Sequence, residues 1–188
     1  MELISKDSKI ILRDFLKTDV EDYVIWNTEI IEWQKWDAPW ENAESTKEEI
    51  KERYEDYYNR INTLSPDRIR TRFEICVNSL DKTHIGWVLS YQIDESFKYT
   101  KSKGFYALGI DIPDLNHRRK GYGKQALLTY IEYLKSHSIN QVYIQTWSGN
   151  LSMLKLAEKL GFVECERVLE IRSVSGNFYD AITLKLDI

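Results

Sequence analysis

The hydrophobic period of this chain alternates between strand and helix along its length, and that order restricts the folds open to it. An apolar, β-branched stretch, Lys9-Ile-Ile-Leu-Arg-Asp-Phe-Leu16, reads as a first strand. Helical spacing follows at Val20, Tyr23, Val24 and Ile25, behind a cap at Thr18 or Asp19. Ser45 and Thr46 each precede a glutamate by three residues (Glu48, Glu49), the capping-box pattern of a second helix running to about Leu64. Ser65-Pro66-Asp67 stops it. From Arg72 the pattern turns strand-like through Arg72–Asn78, Ile85–Ile93 and Gly104–Ile112, with a turn at 80–84. It returns to helical from about Gly121 to Ser136. A buried-type strand (Gln141–Thr146), a short helix (Asn150–Leu160, stopped by Gly161) and two strands flanking Ser175-Gly176-Asn177 complete the order. This succession predicts an α/β fold in one domain over residues 1–188, with about seven strands in one mixed sheet and helices on both faces.

Composition removes several function classes. A net charge of −4 argues against non-specific nucleic-acid binding, which needs a surplus of Lys and Arg against phosphates. No run approaches the roughly 18 apolar residues of a membrane span, and the N-terminus lacks a basic segment followed by an apolar one. Cys76 and Cys165 lie far apart, and His84, His117 and His137 are isolated, so no zinc-ligand spacing exists. Both cysteines read as buried hydrophobes and the three histidines as surface or turn residues. A reducing cytoplasmic setting is the expectation.

Chemistry enters at Arg118-Arg-Lys-Gly-Tyr-Gly123, which follows a strand and opens a helix. Glycines at 121 and 123 let backbone approach a ligand, and the unpaired N–H groups of a helix start face an anion. Arg118, Arg119, Lys120 and Lys124 add positive charge on an acidic chain, so the ligand this loop describes carries a pyrophosphate. A plain strand–helix turn with a solvated basic face is the bland alternative. A dinucleotide site is the sharper one, since Gly121, Gly123 and Ala126 satisfy its spacing. Against the latter, the loop comes late, after antiparallel strands, and the strand 141–146 ends without a ribose-binding acid.

The loop resembles the Q/R-x-x-G-x-G/A motif of the GNAT N-acetyltransferases, read as Arg118, Gly121 and Gly123. At the expected distance come a strand, Asn150, and a helix ending in Gly161-Phe162. The run Ala157-Glu-Lys-Leu-Gly-Phe162 is similar to the ending of the branch that acetylates ribosomal-protein N-termini, spermidine and aminoglycosides, and Leu12, Arg13 and Asp19 to its opening. The resemblance implies a sheet splayed between its fourth and fifth strands and acetyl-CoA as acetyl donor. It also implies backbone bonds to the cofactor at Ile110 and Ile112, and its pyrophosphate on the amides of residues 120–124, Tyr122 among them. Asn150 would contact the cofactor, cap the last helix, or do both.

Acetyl transfer to an amine needs a base, a donor to the developing oxyanion, and an optional acid for the departing thiolate. Asp111, inside the apolar Gly109-Ile-Asp-Ile112, is the candidate base, against the alternative of an outward-facing strand aspartate; Glu74 is the second candidate. The family's usual acid, a tyrosine seven residues after the motif Asn, is absent, because that position is Ala157. Ser152, Tyr143 or another tyrosine substitutes, or the thiolate leaves unaided. Trp33, Trp36, Trp40 and Asp37, with Tyr57 or Tyr58, Glu29, Glu32, Glu41 and Glu44, suit a cationic acceptor: a small basic amine or a peptide N-terminus. Singly, each of these fits a satellite core with an acidic rim. A non-catalytic acyl-CoA-binding module, and a homodimer completed by the closing strands, stay open.

Overall fold

The computed structural model describes residues 1–40 and 45–188. Its elements are β1 (Glu2–Ile4), β2 (Ile10–Arg13), α1 (Asp19–Thr28), α2 (Lys47–Ile61), β3 (Arg72–Val77), β4 (His84–Ile93) and β5 (Phe105–Asp111). The chain continues through α3 (Tyr122–Ser136), β6 (Gln141–Trp147), α4 (Leu151–Leu160), β7 (Val163–Val174) and β8 (Asn177–Asp187). A 3₁₀ turn, Ile31–Lys35, precedes the undescribed segment, and another, Leu115–His117, leads to the glycine loop. The eight strands form one sheet in the order β1-β2-β3-β4-β5-β6-β8-β7, one more than the sequence predicts. The extra strand, β1, is three residues long and has no buried position, so it carries no period for the sequence to show.

Local chemistry selects among the predicted caps. Thr46 and Glu49 form the capping box of α2, the Thr46 hydroxyl accepting from the Glu49 N–H at 3.2 Å and the Glu49 carboxylate from the Thr46 N–H at 2.8 Å. Ser45 instead takes a hydrogen bond from Arg53. At α1 the Thr18 side chain caps nothing; the Asp19 carboxylate accepts the Leu16 N–H and pairs with both terminal nitrogens of Arg13 at 2.7 Å.

Helices cover both faces. On one, α3 and α4 pack Leu127, Tyr130, Leu134 and Ala157 against Leu12, Phe73, Leu108, Val142 and Ile144. On the other, α1, α2 and the first 3₁₀ turn bury Phe15, Val20, Tyr23, Trp26 and Trp33 around Trp87. Among the described strands only β5 and β6 run parallel, joined by the α3 crossover, and their ladder is brief: Tyr106–Val142, Ala107–Tyr143 and Leu108–Ile144. Beyond Leu108 and Ile144 the two strands part, opening the sheet where the splay is expected. On its other side β5 stays paired with β4 through Asp111, opposite Trp87. Gly86 is required there, because a Cβ on it would lie 2.1 Å from the Asp111 carbonyl oxygen.

Two expectations about single residues change. His84 is no turn residue: its side chain lies beneath α1, bonded to Asp22 and Glu74. Cys165 is exposed on β7, whose edge position leaves one side of the strand unpaired, whereas Cys76 is buried as expected.

Candidate active site

One cleft of about 1990 Å³ runs from the glycine loop, through the gap between β5 and β6, to the aromatic cluster beneath α1 and α2. Its walls bring together residues far apart in sequence: Trp33, Trp36, Asp37, Trp40, Ile110, Asp111, Ile112, Arg118, Arg119, Gly121, Gly123, Lys124, Asn150 and Ser152. Lys120 and Tyr122 lie in the loop but off the cleft wall, Lys120 exposed and Tyr122 packed on the core. Glu74 is fully buried beneath the wall.

The loop end is built mainly from backbone. Arg119 and Gly121 are left-handed, with φ of 59° and 87°, and Gly121 occupies the N-cap of α3 without offering a side chain. The N–H groups of residues 120–124 donate to no described residue, as the start of a helix dictates. Arg119, Lys124, Lys155 and Lys159 line this end, and none makes an ion pair among the described residues. Where the strands part, the β6-facing edge of β5 at 109–111 has no ladder partner, so extended polar backbone is available to a ligand. Unpaired amides, unpaired cations and a slot with an open strand edge fit a phosphorylated, amide-bearing cofactor.

Arg118 departs from a simple anion ligand. Its Nε donates to the Ile112 carbonyl (2.7 Å), Nη2 to the Pro113 carbonyl (3.1 Å) and Nη1 to Glu32 (2.8 Å). The guanidinium therefore ties the glycine loop to the end of β5 and to the 3₁₀ turn of residues 31–35. Asn150 also makes two structural bonds, Oδ1 capping α4 at the Met153 N–H (3.0 Å) and Nδ2 donating to the Trp36 carbonyl (2.7 Å). Trp147 Nε1 donates to the same carbonyl at 3.1 Å.

Side chains build the other end. Trp33 is nearly buried, donating from Nε1 to the Trp26 carbonyl and standing edge-on to Trp87. Trp36 is more exposed and bonds Glu32. Trp40 sits edge-on to Trp147 beneath the Arg172 guanidinium. Tyr54 lines the cleft and stacks on Tyr23 with ring centres 4.0 Å apart, while Tyr57 and Tyr58 pack behind. Glu29 faces away, paired with Lys47, and Glu41 and Glu44 lie outside the described residues. Burial in the cleft, reinforced by the Asp37 carboxylate, holds the Asp111 carboxyl well above the usual carboxylate range. Ser152 is exposed on the cleft wall, Ala157 is buried in the core, and Tyr143 packs against Phe97 and Phe105.

The sequence reading missed Arg72, Trp87, Trp147 and Arg172 on these walls. For Arg72 a signal existed: Arg72 and Glu74, of opposite charge and two residues apart on an apolar strand, share one face. Their network is dense. The Tyr23 hydroxyl donates to Glu74 (2.6 Å), Arg72 Nε to the other Glu74 oxygen (2.9 Å), and His84 bridges Glu74 (3.1 Å) and Asp22 (2.8 Å). Burial alone would lower the His84 pKa, but hydrogen bonds to Asp22 and Glu74 outweigh it and push it up to about 9. Asp19, Asp22 and His84 cluster closely enough to bind a metal, but Asp19 is already held by Arg13 and both His84 ring nitrogens have partners.

Comparison with known proteins bears on the fold. No curated protein sequence matches the chain. Among solved structures, a GNAT-family acetyltransferase from Bacillus anthracis is similar with a TM-score of 0.71 at 14% identity, over 100% of this chain and 98% of its own. Spermidine N-acetyltransferase from Vibrio cholerae, in complex with CoA and spermine, is similar with a TM-score of 0.70 at 16% identity, over 96% of each chain. Ribosomal-protein-alanine N-acetyltransferase from Brucella melitensis gives 0.65 at 16%, over 94% of this chain and 99% of its own. These identities speak for the fold. The acetyltransferase (GNAT) domain family itself matches residues 9–163, so with its splayed sheet and glycine loop this chain belongs to the GNAT acetyltransferases.

Proposed function

We propose that this protein transfers an acetyl group from acetyl-CoA to a primary amine, of a small basic molecule or a peptide N-terminus, by direct attack in a ternary complex. The observation that carries the reading is the single cleft in which the glycine loop, the open edge of β5 and the Asp111 carboxyl meet. When bound, acetyl-CoA supplies an acetyl group activated as a thioester. Arg119, Lys124 and the amides of residues 120–124 hold its pyrophosphate, and the open backbone of β5 at Ile110, together with the backbone N–H of Ile112, receives its amide-bearing arm. Arg118 and Asn150 hold the walls of the site in register.

An acceptor amine arrives as ammonium, with a pKa of about 10.4 for a lysine-like group, and must lose a proton before it can attack. Asp111 takes that proton. Burial and then the Asp37 carboxylate hold its pKa well above that of an ordinary carboxylate, which makes its ionised form a better base. The open N–H edge of β5 offers a donor to the oxyanion. Ser152, exposed on the cleft wall, protonates the departing sulfur, or the thiolate leaves unaided, since a thiol pKa is about 8.5. Asp37 and the indoles of Trp33, Trp36 and Trp40 receive the cationic acceptor.

A thiol-release assay over polyamines, aminoglycosides, amino acids and short peptides tests this. Turnover on one class, lost in Asp111→Asn, is the expected result. Turnover retained in that variant removes Asp111 as the base. Tight CoA binding with no turnover on any amine would favour a non-catalytic acyl-CoA-binding module, a reading to which the buried Ala157 at the usual acid position lends support.

A further inference from the structure

Arg72 lines the acceptor end of the cleft beside Tyr54, Trp87 and Leu89, yet neither proton transfer nor cofactor binding uses it. Its side chain is only 16% exposed. Two of its three nitrogens are fixed from behind: Nε donates to Glu74 at 2.9 Å and Nη2 to the Tyr23 hydroxyl. Glu74 is in turn held by Tyr23 and His84. The guanidinium lies over the Tyr23, Tyr57 and Trp87 rings, at 4.8, 5.4 and 5.2 Å from their centres. Nη1 has no hydrogen-bond partner among the described residues. A buried cation clamped on two sides, with its third nitrogen unpaired among the described residues and its residue on the wall of the cleft, is a preorganised donor for an anion.

Register sets its distance from the base. Glu74 pairs with Trp87 and Trp87 with Asp111, so these three cross the sheet in one row; Arg72, Leu89 and Gly109 form the next row on the same face. Asp111 therefore lies two strands from Arg72, about 10 Å across the sheet, and one two-residue step along it, and the Arg72 guanidinium stands over the ring of Trp87, the residue paired with Asp111. An acceptor that meets both side chains is therefore a molecule carrying an amine and an anionic group.

We propose that Arg72 is a specificity-determining residue that receives a carboxylate carried by the acceptor, so that the substrate is an amino-acid-type molecule, its amine at Asp111 and its carboxylate at Arg72 Nη1. The assignment rests on the acetyl-transfer reading and gives its primary amine a carboxylate, in place of a purely basic acceptor. The Glu74–Tyr23–His84 network fixes the guanidinium, and the indoles and Tyr54 enclose the carbon skeleton between the two charges.

Matched pairs test it: amino acids, each set beside its amide and its decarboxylated amine, in the thiol-release assay with wild type, Arg72→Lys and Arg72→Gln/Glu74→Gln. The double variant avoids leaving Glu74 buried without its cation, and a melting curve confirms that each variant is folded. The expected result is at least a tenfold preference in kcat/KM for the carboxylate-bearing member, reduced in Arg72→Lys and abolished in the double variant, with KM for acetyl-CoA little changed. A merely structural arginine would lower all three members alike and leave the ratio intact, which overturns the inference. Equal or faster turnover of the decarboxylated amines by wild type also overturns it, while leaving the acetyltransferase reading in place. If no amine is turned over, the transfer reading fails instead, and calorimetry with the same pairs in the presence of CoA decides the subsite. Carboxylate-dependent binding lost in the double variant supports it, and its absence overturns it.

Discussion

The two ends of the cleft are made in different ways. The cofactor end is mostly main chain: a left-handed Gly121, the free amides opening α3, and a strand edge left open where β5 and β6 part. Its side chains are solvated cations around that backbone. The acceptor end is almost entirely side chain, drawn from α2, β3, β4, β5, β6 and the turn at 31–40, and it is backed by buried charges that reach Tyr23 of α1. A site made of backbone depends on a local turn and tolerates change around it. A site made of buried polar side chains depends on every partner being present, because an unpaired buried charge is costly. Arg118 and Asn150 join the two ends through Glu32 and the Trp36 carbonyl.

The largest effect should come from the acceptor end. Asp111→Asn should lower kcat by on the order of 10²-fold or more, with calorimetric affinity for CoA close to wild type. A comparable loss of CoA binding would dissolve the division between the ends.

Stability should depend on pH through the acceptor end as well. The folded-state pKa of His84 is raised to about 9, so its contribution is fully present below the ordinary histidine value and is lost as pH rises through about 9. His84→Gln should therefore be destabilised relative to wild type by on the order of 3 kcal/mol near pH 6, and the difference should shrink above pH 9. Denaturant melts at both pH values measure this. A pH-independent difference would mean that His84 acts through packing alone.

At the cofactor end, Gly123→Ala should fold normally, because its Cβ would meet Ile110 and Ile112 at ordinary contact distances of 3.5 and 3.8 Å. Filling the backbone cradle should weaken CoA by about tenfold, or about 1.4 kcal/mol, with kcat at saturation little affected. Unchanged CoA affinity would place the pyrophosphate elsewhere.

The finest probe is the acid limb of the pH–rate profile. Burial and then Asp37 raise the Asp111 pKa, so activity should fall with decreasing pH at a higher pH than an ordinary carboxylate dictates. Asp37→Asn should move that limb to lower pH. A limb that stays in place would mean that burial alone sets it.

How legible the molecule was in its sequence follows the same division. The capping box at Thr46, the hairpin turn at Ser175–Gly176 and the helix opening at Gly121 are read from neighbours in the chain, and the fold order they punctuate is the one observed. The edge strand β1 escaped because a three-residue strand with no buried position is too short to show a period. His84 escaped because its partners, Asp22 and Glu74, lie 62 and 10 residues away. Glu74 and Asp111 looked alike as acids on apolar strands; they differ because Glu74 is enclosed by Tyr23, Arg72 and His84, whereas Asp111 opens on the cleft.

The alternation of helix and strand, the glycine loop and the family were thus legible in the chain alone, because each is encoded in short-range spacing and backbone freedom. It took the packed molecule to establish that Arg118 braces the loop, that Trp36 is gripped by Asn150 and Trp147, and that Arg72 faces the cleft with one nitrogen free. Those outcomes depend on which strands lie side by side and which residues pair in register, and contacts between distant residues leave no mark in local spacing.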